Sequence, residues 1–152
     1  MSEVVTIAPG DPLDPGASAL LDASQALMVR LYSAEENHFL SHEALRSPDV
    51  RFLVARLGER PVGCCAVRLC DGYGEIKSFY VDEAARGHGI GRKLIAAIED
   101  QARADSLPVL NLETGELLDA ACRLYQRMGY TRCPPFGDYV DNGSSVFMTK
   151  TL

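Results

Sequence analysis

The part of this sequence with the clearest chemistry is the glycine-rich run RGHGIGR at residues 86–92. It follows a β-rich run and opens a segment with apolar residues at helical spacing, which predicts a strand, a turn and a helix N-terminus. Glycines let the backbone approach a ligand closely, and the first amides of a helix have no partner within the helix. These amides and the helix dipole predict an anion site, to which Arg86 and Arg92 add positive charge.

The spacing of the glycines excludes two common nucleotide-binding loops. The dinucleotide pattern G-x-G-x-x-G, started at Gly87, would require a glycine where Arg92 stands. A P-loop would require Gly-Lys-Ser/Thr, whereas Gly91 is followed by Arg92, Lys93 and a leucine. The segment does fit the pattern R-x-x-G-x-G, beginning at Arg86.

The chain resembles the GNAT superfamily of acetyl-CoA-dependent N-acetyltransferases. Two stretches carry the resemblance: YVDEAARGHGIGRKLI at residues 80–95, with the strand GEIKSFYV leading into it, and ACRLYQRMGY at residues 121–130. The resemblance implies that acetyl-CoA lies between splayed fourth and fifth strands, with its pyrophosphate on the amides of the glycine-rich run. It implies these cofactor-binding residues: Phe79, Tyr80, Val81, Arg86, Gly87, His88, Gly89, Ile90, Gly91 and Arg92.

Acetyl transfer to an amine has two protonic requirements. A lysine-type amine has a pKa of ~10.4, so it must lose a proton before it attacks, and the departing thiolate must gain one. The resemblance implies that Tyr125 is the general acid, and Glu75 stands where some family members carry a general base. The alternatives are a core aromatic for Tyr125, an exposed strand residue for Glu75, and proton removal through ordered water. Leu118 replaces a frequent Asn or Gln, so that side-chain contact with the cofactor is not expected.

Other polar residues give weaker indications. His38 and His42 are four residues apart, but the pattern H-E-x-x-H is not met, so we expect no metal site. In the resembled fold the run Glu35–Asn37 borders the acceptor pocket. Its carboxylates could hold a cationic acceptor or could simply be solvated. The loop Phe136–Tyr139 could form the opposite wall of that pocket.

The elements that must position these residues follow from the apolar spacing. Short glycine turns between three central strands predict an antiparallel meander, and the strand–helix–strand step at residues 75–113 predicts a parallel pair. The result is an α+β fold with a mixed, mostly antiparallel central sheet, one parallel β–α–β step and flanking helices. The predicted strands are Val4–Ala8, Arg51–Leu57, Pro61–Cys70, Glu75–Val81, Pro108–Glu113, Tyr130–Cys133 and Ser145–Thr149; the helices are Ala17–Tyr32, a short one within residues 33–46, Gly89–Ala104 and Leu117–Met128.

Length and composition bound the function. The 152 residues predict one domain, residues 1–152, and 15 basic against 21 acidic residues leave a net charge of −6. An acidic domain has no general attraction for a phosphate backbone, so we expect no nucleic acid partner. No apolar run approaches the ~20 residues of a membrane span, and no signal peptide is visible. Five cysteines without a C-x-x-C pair favour free thiols and a cytoplasmic location.

We therefore expect a GNAT-like N-acetyltransferase that moves an acetyl group from acetyl-CoA, as co-substrate and without a metal, to a primary amine by direct transfer. The acceptor is a small-molecule amine or a peptide. Two alternatives stay open at this point: a non-catalytic acyl-CoA-binding module, and an acetyltransferase for a protein N-terminus or lysine. An edge strand at the C-terminus could support a homodimer.

Overall fold

A single seven-stranded sheet organises the chain in a computed structural model that describes residues 4–152. The strand order is β1-β2-β3-β4-β5-β7-β6; only β4 and β5 pair in parallel, and all other pairs are antiparallel. This is the mixed α+β fold that the sequence predicts. The elements are β1 (Val5–Pro9), α1 (Pro15–Leu31), β2 (Val50–Leu57), β3 (Arg60–Leu69), β4 (Gly74–Val81), α2 (Ile90–Ala104), β5 (Val109–Gly115), α3 (Asp119–Arg127), β6 (Thr131–Arg132) and β7 (Ser145–Thr151).

The parallel pair β4–β5 is very short. It covers only three residues of each strand, Gly74–Ile76 against Leu110–Leu112. Beyond Ile76, β5 continues along β7 as far as Gly115, while β4 continues only along β3. The edge of β4 that faces β5 is therefore without a strand partner from Lys77 onward, and a gap opens in the middle of the sheet.

A β-bulge at Ser78 marks the start of that gap. In the β3–β4 register, Ala66 lies opposite Lys77 and Cys64 lies opposite Tyr80, so two residues of β4 face the single residue Cys65. Ser78 has a φ of 54°, which is rare for a residue with a side chain. A bulge of this kind bends the strand and increases its local twist, which turns β4 away from β5.

Two separate apolar clusters cover the two faces of the sheet. The larger one packs α2 against β2, β3, β5 and β7 and includes Leu94, Ile98 and Cys65. The smaller one packs α1 against β2 and β3 and includes Leu21 and Cys64. The adjacent cysteines therefore point to opposite faces, as strand alternation requires, and all five cysteines are free thiols.

The sequence prediction was wrong about a second helix within residues 33–46. Only two short 3₁₀ turns occur there, Ala34–Glu36 and Ala44–Arg46. The side-chain amide of Asn37 donates to the carbonyls of Tyr32 and Ser33 at 3.3 and 3.0 Å, so it closes the end of α1 and holds an irregular loop. The described part of the chain contains no helix long and apolar enough to cross a membrane.

The third helix begins at Asp119, two residues later than its apolar spacing predicts. Leu117 precedes it, is 57% exposed, and donates its backbone N–H to the hydroxyl of Tyr32 at 3.0 Å. That bond ties the start of α3 to the end of α1, since Tyr32 follows directly after α1.

A buried polar cluster of Glu99, Tyr130 and Lys150 joins α2 to β7. The carboxylate of Glu99 accepts hydrogen bonds from the hydroxyl of Tyr130 and from Nζ of Lys150, both at 2.9 Å. The side chain of Glu99 is 7% exposed and that of Lys150 is 23% exposed. A buried carboxylate requires such partners, because an unpaired charge in a protein interior is strongly destabilising.

We expect Lys150→Met to lower the free energy of unfolding by about 2–3 kcal/mol, because Glu99 then keeps only the hydroxyl of Tyr130. This is below the ~3–5 kcal/mol of a fully buried pair, since Lys150 is partly exposed. Chemical denaturation measures the change. The double variant Glu99→Gln/Lys150→Met should recover most of the loss, and equal stability of Lys150→Met and wild type would contradict the prediction.

Candidate active site

The gap between β4 and β5 widens into a cleft of about 1110 Å³ that lies between the N-terminal turn of α2 and the helix α3. Of the residues predicted to bind a cofactor, all but His88 line it; His88 is exposed and lies outside the lining. The cleft lining also includes Leu27 and Met28 of α1 and Leu117 to Ala121 at the start of α3. The structure therefore brings the glycine-rich run and the end of β4 together in one concave surface.

The glycine-rich run forms an open set of backbone amides at the start of α2. Gly87 and Gly89 have φ values of 88° and 74°, and a Cβ atom built on either would meet nothing within 4 Å. The first amide of this turn that donates to a backbone carbonyl is that of Lys93, which bonds to Gly89 at 3.1 Å. Among residues 4–152, the amides of Ile90, Gly91 and Arg92 have no backbone acceptor, which suits an anion.

Positive charge lines the same cleft. Arg86 donates from Nε to the carbonyl of Val81 at 3.2 Å, and its guanidinium lies 5.9 Å from the ring centroid of Tyr80. Arg92 lies on the first turn of α2, and two arginines of α3, Arg123 and Arg127, also line the cleft. A chain with a net charge of −6 thus presents a basic cleft, which favours a ligand with several negative charges.

The joint between α2, β4 and α3 is tight at Gly91. A Cβ atom there would lie 3.0 Å from Cζ of Phe79 and 3.1 Å from Cδ2 of Leu124. The glycine therefore allows α2 to approach β4 and α3 closely. An elongated cofactor with a pyrophosphate fits this arrangement: the amides at the start of α2 would hold the phosphates, and the unpaired edge of β4 offers backbone groups to an amide-bearing arm.

A second, smaller cavity of about 110 Å³ adjoins the cleft on the other side of the gap. The two share Ser24, Met28, Phe79 and Leu118 in their linings. Leu118, the residue that replaces a frequent Asn or Gln, thus lies at the junction. The remaining lining of the small cavity is largely polar and includes Tyr32, Glu36, Asn37, His38, Lys77, Ser78, Glu113, Thr114, Tyr125 and Ser145.

Tyr125 lies beside this junction. Its side chain is 4% exposed and packs against Phe79 and Tyr130, with ring centroids 5.7 and 5.8 Å apart. Its hydroxyl makes no hydrogen bond to any residue in the range 4–152, and the residue lines the small cavity. Burial raises the pKa of Tyr125 well above its ordinary value, so the hydroxyl keeps its proton at neutral pH.

Glu75 is buried, not exposed, and lies outside the lining of both cavities. Its Oε2 accepts from the hydroxyl of Tyr139 at 2.5 Å and lies 3.1 Å from Nζ of Lys77. Its Oε1 accepts from Arg68 at 3.4 Å. Both oxygens are thus occupied by donors within the protein, and burial with the bond to Glu75 raises the pKa of Tyr139.

The loops predicted to border an acceptor pocket meet at the small cavity. Glu36 and Asn37 line it, whereas Glu35 does not. A hydrogen bond of 2.5 Å from Ser144 lowers the pKa of Glu36 and holds the carboxylate in place. The loop Phe136–Tyr139 does not line the cavity itself; Tyr139 packs edge-on against His38, with ring centroids 5.1 Å apart.

Sequence reasoning missed three polar residues of the small cavity: His38, Lys77 and Glu113. From the sequence, His38 was considered only as a possible metal ligand. Residues 4–152 contain no group of three or more metal-ligating residues. Nζ of Lys77 donates to the backbone carbonyl of His38 at 3.0 Å. In β5 the apolar residues Leu110 and Leu112 alternate with the polar residues Asn111 and Glu113, and this alternation beside the splayed β4 was the pattern that could have drawn attention to Glu113.

Open amides at a helix N-terminus, beside a strand edge freed by a bulge and next to a polar cavity, suit a phosphate-bearing donor in the cleft and an acceptor in the cavity. Comparisons with known proteins identify the class of protein. Residues 18–130 match the model of the acetyltransferase (GNAT) family. The chain belongs to the GNAT family of acetyltransferases and is an acyltransferase.

Individual relatives agree with this membership. An "IAA acetyltransferase" of Azospirillum brasilense is 43% identical over 150 residues, covering 97% of this chain and 98% of its own. The crystal structure of an assigned acyl-CoA N-acyltransferase of Klebsiella pneumoniae superposes with a TM-score of 0.82 at 37% identity and 98% coverage of both chains. The PaiA N-acetyltransferase of Thermoplasma acidophilum, solved with coenzyme A, shares the fold at a TM-score of 0.75, 15% identity and 98% and 99% coverage.

We expect Gly89→Glu to abolish acetyl-CoA binding, because its carboxylate would occupy the anion site. Wild type should bind with micromolar affinity, on the order of −8 kcal/mol, measured by titration calorimetry. Gly58→Glu is the matched control: Gly58 has a φ of 59° and open space at its Cβ, but it lies in the β2–β3 turn. Both variants carry the same backbone strain, so equal binding by the two would place the phosphates elsewhere.

Proposed function

We propose that this chain transfers the acetyl group of acetyl-CoA directly to a primary amine. The observation that carries the proposal is the junction of the basic cleft with the small polar cavity at Phe79 and Leu118, beside Tyr125. A donor in the cleft and an amine in the cavity would meet there. Direct transfer is favoured over a cysteine intermediate because no cysteine among residues 4–152 lines either cavity, and burial raises the pKa of Cys64 to about 12.

Bound acetyl-CoA would supply the thioester and the leaving thiolate. The chain's own residues would bind and orient the cofactor. The amides of Ile90, Gly91 and Arg92 would hold the pyrophosphate, and the backbone of β4 from Phe79 to Val81 would lie along the pantetheine arm. Arg86, Gly87, His88 and Gly89 belong to the same proposed cofactor site, His88 through its backbone only.

Tyr125 is the proposed general acid. Its hydroxyl is protonated at neutral pH and has no competing acceptor among the described residues, so its proton is available to a sulfur atom at the junction. The raised pKa also makes Tyr125 a weaker acid than free tyrosine. Its proton is therefore expected to move as the carbon–sulfur bond breaks, when the thiolate charge develops.

Glu75 is a weaker candidate for the general base. Its oxygens are held by Arg68, Lys77 and Tyr139, so a proton from the acceptor could reach it only through Lys77, which lines the small cavity, or through Tyr139 behind it. What supports a role for Glu75 is its burial in a network next to that cavity. We propose that it acts mainly by positioning Lys77 and Tyr139.

The proposed acceptor is a small cationic amine. Glu36 and Glu113 place two carboxylates in a cavity whose volume of about 110 Å³ suits an amine and a few carbon atoms. Carboxylates hold an ammonium group, and the acidic balance of the chain favours such a ligand. The relative from Azospirillum brasilense is named an IAA acetyltransferase, so IAA is included in the acceptor screen described below, as are peptides.

Three further proposals accompany this function. One sheet joins all seven strands, which supports a single domain over residues 1–152. Five free thiols support a cytoplasmic location. The prediction of an edge strand at the C-terminus was wrong, because the C-terminal strand β7 lies between β5 and β6. The outer edge of the short strand β6 is unpaired in the described sheet, and we propose that edge for a homodimer.

An acceptor screen tests the function. Free thiol release from acetyl-CoA is followed with amino acids, polyamines, amino sugars, IAA, simple alkylamines and peptides. We expect turnover with at least one small primary amine. Turnover with peptides alone would favour a peptide or protein N-acetyltransferase. Binding of acetyl-CoA without turnover on any acceptor would favour a non-catalytic binding module.

We expect Tyr125→Phe to lower turnover at least ~10-fold, because the ring and its packing stay while the proton is lost. Acetyl-CoA affinity should change little. If Tyr125 is only a core aromatic, phenylalanine should be tolerated. Tyr125→Ala should in either case destabilise the fold by ~3–5 kcal/mol. Turnover and melting temperature of both variants separate these roles.

A further inference from the structure

His38 has no role in the function described so far, and Glu113 has only that of a carboxylate near the acceptor. Nδ1 of His38 lies 3.6 Å from Oε2 of Glu113, just beyond hydrogen-bonding distance. Nδ1 is buried and has no hydrogen-bond partner within residues 4–152, although the side chain as a whole is 32% exposed. Both residues line the small cavity, together with Tyr125.

We propose that His38 is the general base that takes the proton of the acceptor amine, and that Glu113 is the positioning residue that orients its ring. This inference rests on the proposed function and names the proton acceptor of the same site. With Nδ1–H directed at Glu113, the other ring nitrogen, Nε2, keeps a lone pair that can accept a proton. A gap of 3.6 Å is compatible with this role, because catalytic hydrogen bonds are often long without substrate.

The surroundings hold both side chains in place. Oε2 of Glu113 accepts a hydrogen bond of 2.6 Å from Oγ of Ser145, on the neighbouring strand β7. The backbone carbonyl of His38 accepts from Lys77, and Tyr139 packs edge-on against the ring. His38 therefore belongs to an irregular loop, yet it is fixed from the backbone side by β4 and from the ring side by the loop after β6.

Several charged groups surround His38. The carboxylate of Glu113 directly faces Nδ1 and favours the tautomer that carries its proton there. Nζ of Lys77 bonds to the backbone carbonyl of His38, and its charge is offset by Glu75 at 3.1 Å. The titratable groups that face His38 or share its cavity are Tyr32, Glu36, Lys77, Glu113, Tyr125 and Tyr139.

Two groups in the cavity, His38 and Tyr125, account for every proton that moves in the reaction. The ammonium form of the acceptor gives one proton to Nε2 of His38, which later releases it to water. The free amine nitrogen forms a bond to the carbonyl carbon, and the carbon–sulfur bond breaks with its electron pair on sulfur. Tyr125 gives sulfur a proton and recovers one from the nitrogen, which is now an amide.

Matched acceptors and variants test the base. Ethylamine is mostly protonated at neutral pH, whereas 2,2,2-trifluoroethylamine has nearly the same shape and is mostly neutral. With ethylamine at pH 7, we expect His38→Gln to lower kcat/KM at least ~10-fold. The loss should be much smaller with trifluoroethylamine, whose nitrogen needs no prior deprotonation. His42→Gln is the control, because His42 is engaged with Asp22 and Ser18 and should leave both rates unchanged.

The pH profile gives a second kinetic readout. In wild type, the rate with ethylamine should have an acidic limb, since a protonated imidazole cannot accept a proton. In His38→Gln this acidic limb should be lost or displaced. Glu113→Gln keeps the bond to Ser145 and removes the charge, and it should lower the rate about 10-fold without loss of melting temperature.

A readout independent of turnover comes from ¹⁵N NMR of the imidazoles, of which the chain has three. We expect His38 to carry its proton on Nδ1 in wild type, and Glu113→Gln to shift it toward Nε2. Wild-type activity of His38→Gln with ethylamine, or an equal loss with both amines, would overturn the inference while leaving the acetyltransferase function intact. Wild type that binds acetyl-CoA but turns over no amine would overturn both.

Discussion

The bulge at Ser78 is the constraint on which the site depends. Antiparallel or parallel pairing would otherwise satisfy both edges of β4 along its whole length, and the sheet would have no gap. With two residues of β4 opposite Cys65, the strand turns away from β5 after only three paired residues. A side-chain-bearing residue in the left-handed region costs roughly 1–2 kcal/mol, so this distortion must be held by packing on either side. The unpaired edge and the two adjoining cavities follow from it.

Two similar polar clusters lie on opposite faces of the sheet. On one face Glu99 accepts from Lys150 and Tyr130, and on the other Glu75 accepts from Lys77 and Tyr139. In each case the tyrosine ring packs against a residue of the small cavity: Tyr130 against Tyr125, and Tyr139 against His38. Buried ionic clusters are weak contributors to stability, but they fix geometry when every member is satisfied. Each cluster thus positions one of the two side chains proposed to move protons.

The arrangement of the glycine-rich run in one cleft was predictable from sequence because its parts are local. The glycine-rich run, the end of β4 and the first turn of α2 lie within fifteen or so consecutive positions, so spacing alone indicates their arrangement. The pair of His38 and Glu113 was not predictable in this way, because a 3₁₀ turn and a loop separate His38 from any periodic element. The position of His38 depends on Lys77, which lies 39 residues further along the chain, and on Tyr139, which lies a further 62 residues beyond Lys77. The short helix predicted at residues 33–46 would have placed His38 on a helix face, whereas Asn37 holds the loop open at the end of α1.

The chemistry explains why two separate protonic groups at the junction are useful. An amine that must lose a proton and a thiolate that must gain one are present in the same step, and they lie on opposite sides of the carbonyl carbon. A group that suits one task suits the other poorly: a base must be unprotonated at neutral pH, and an acid must be protonated. Tyr125, whose pKa burial raises, is the group proposed for the second task, and it belongs to the larger apolar cluster. The imidazole of His38, oriented by the carboxylate of Glu113, is the group proposed for the first task, and the gap that opens at Ser78 allows both groups to reach one cavity.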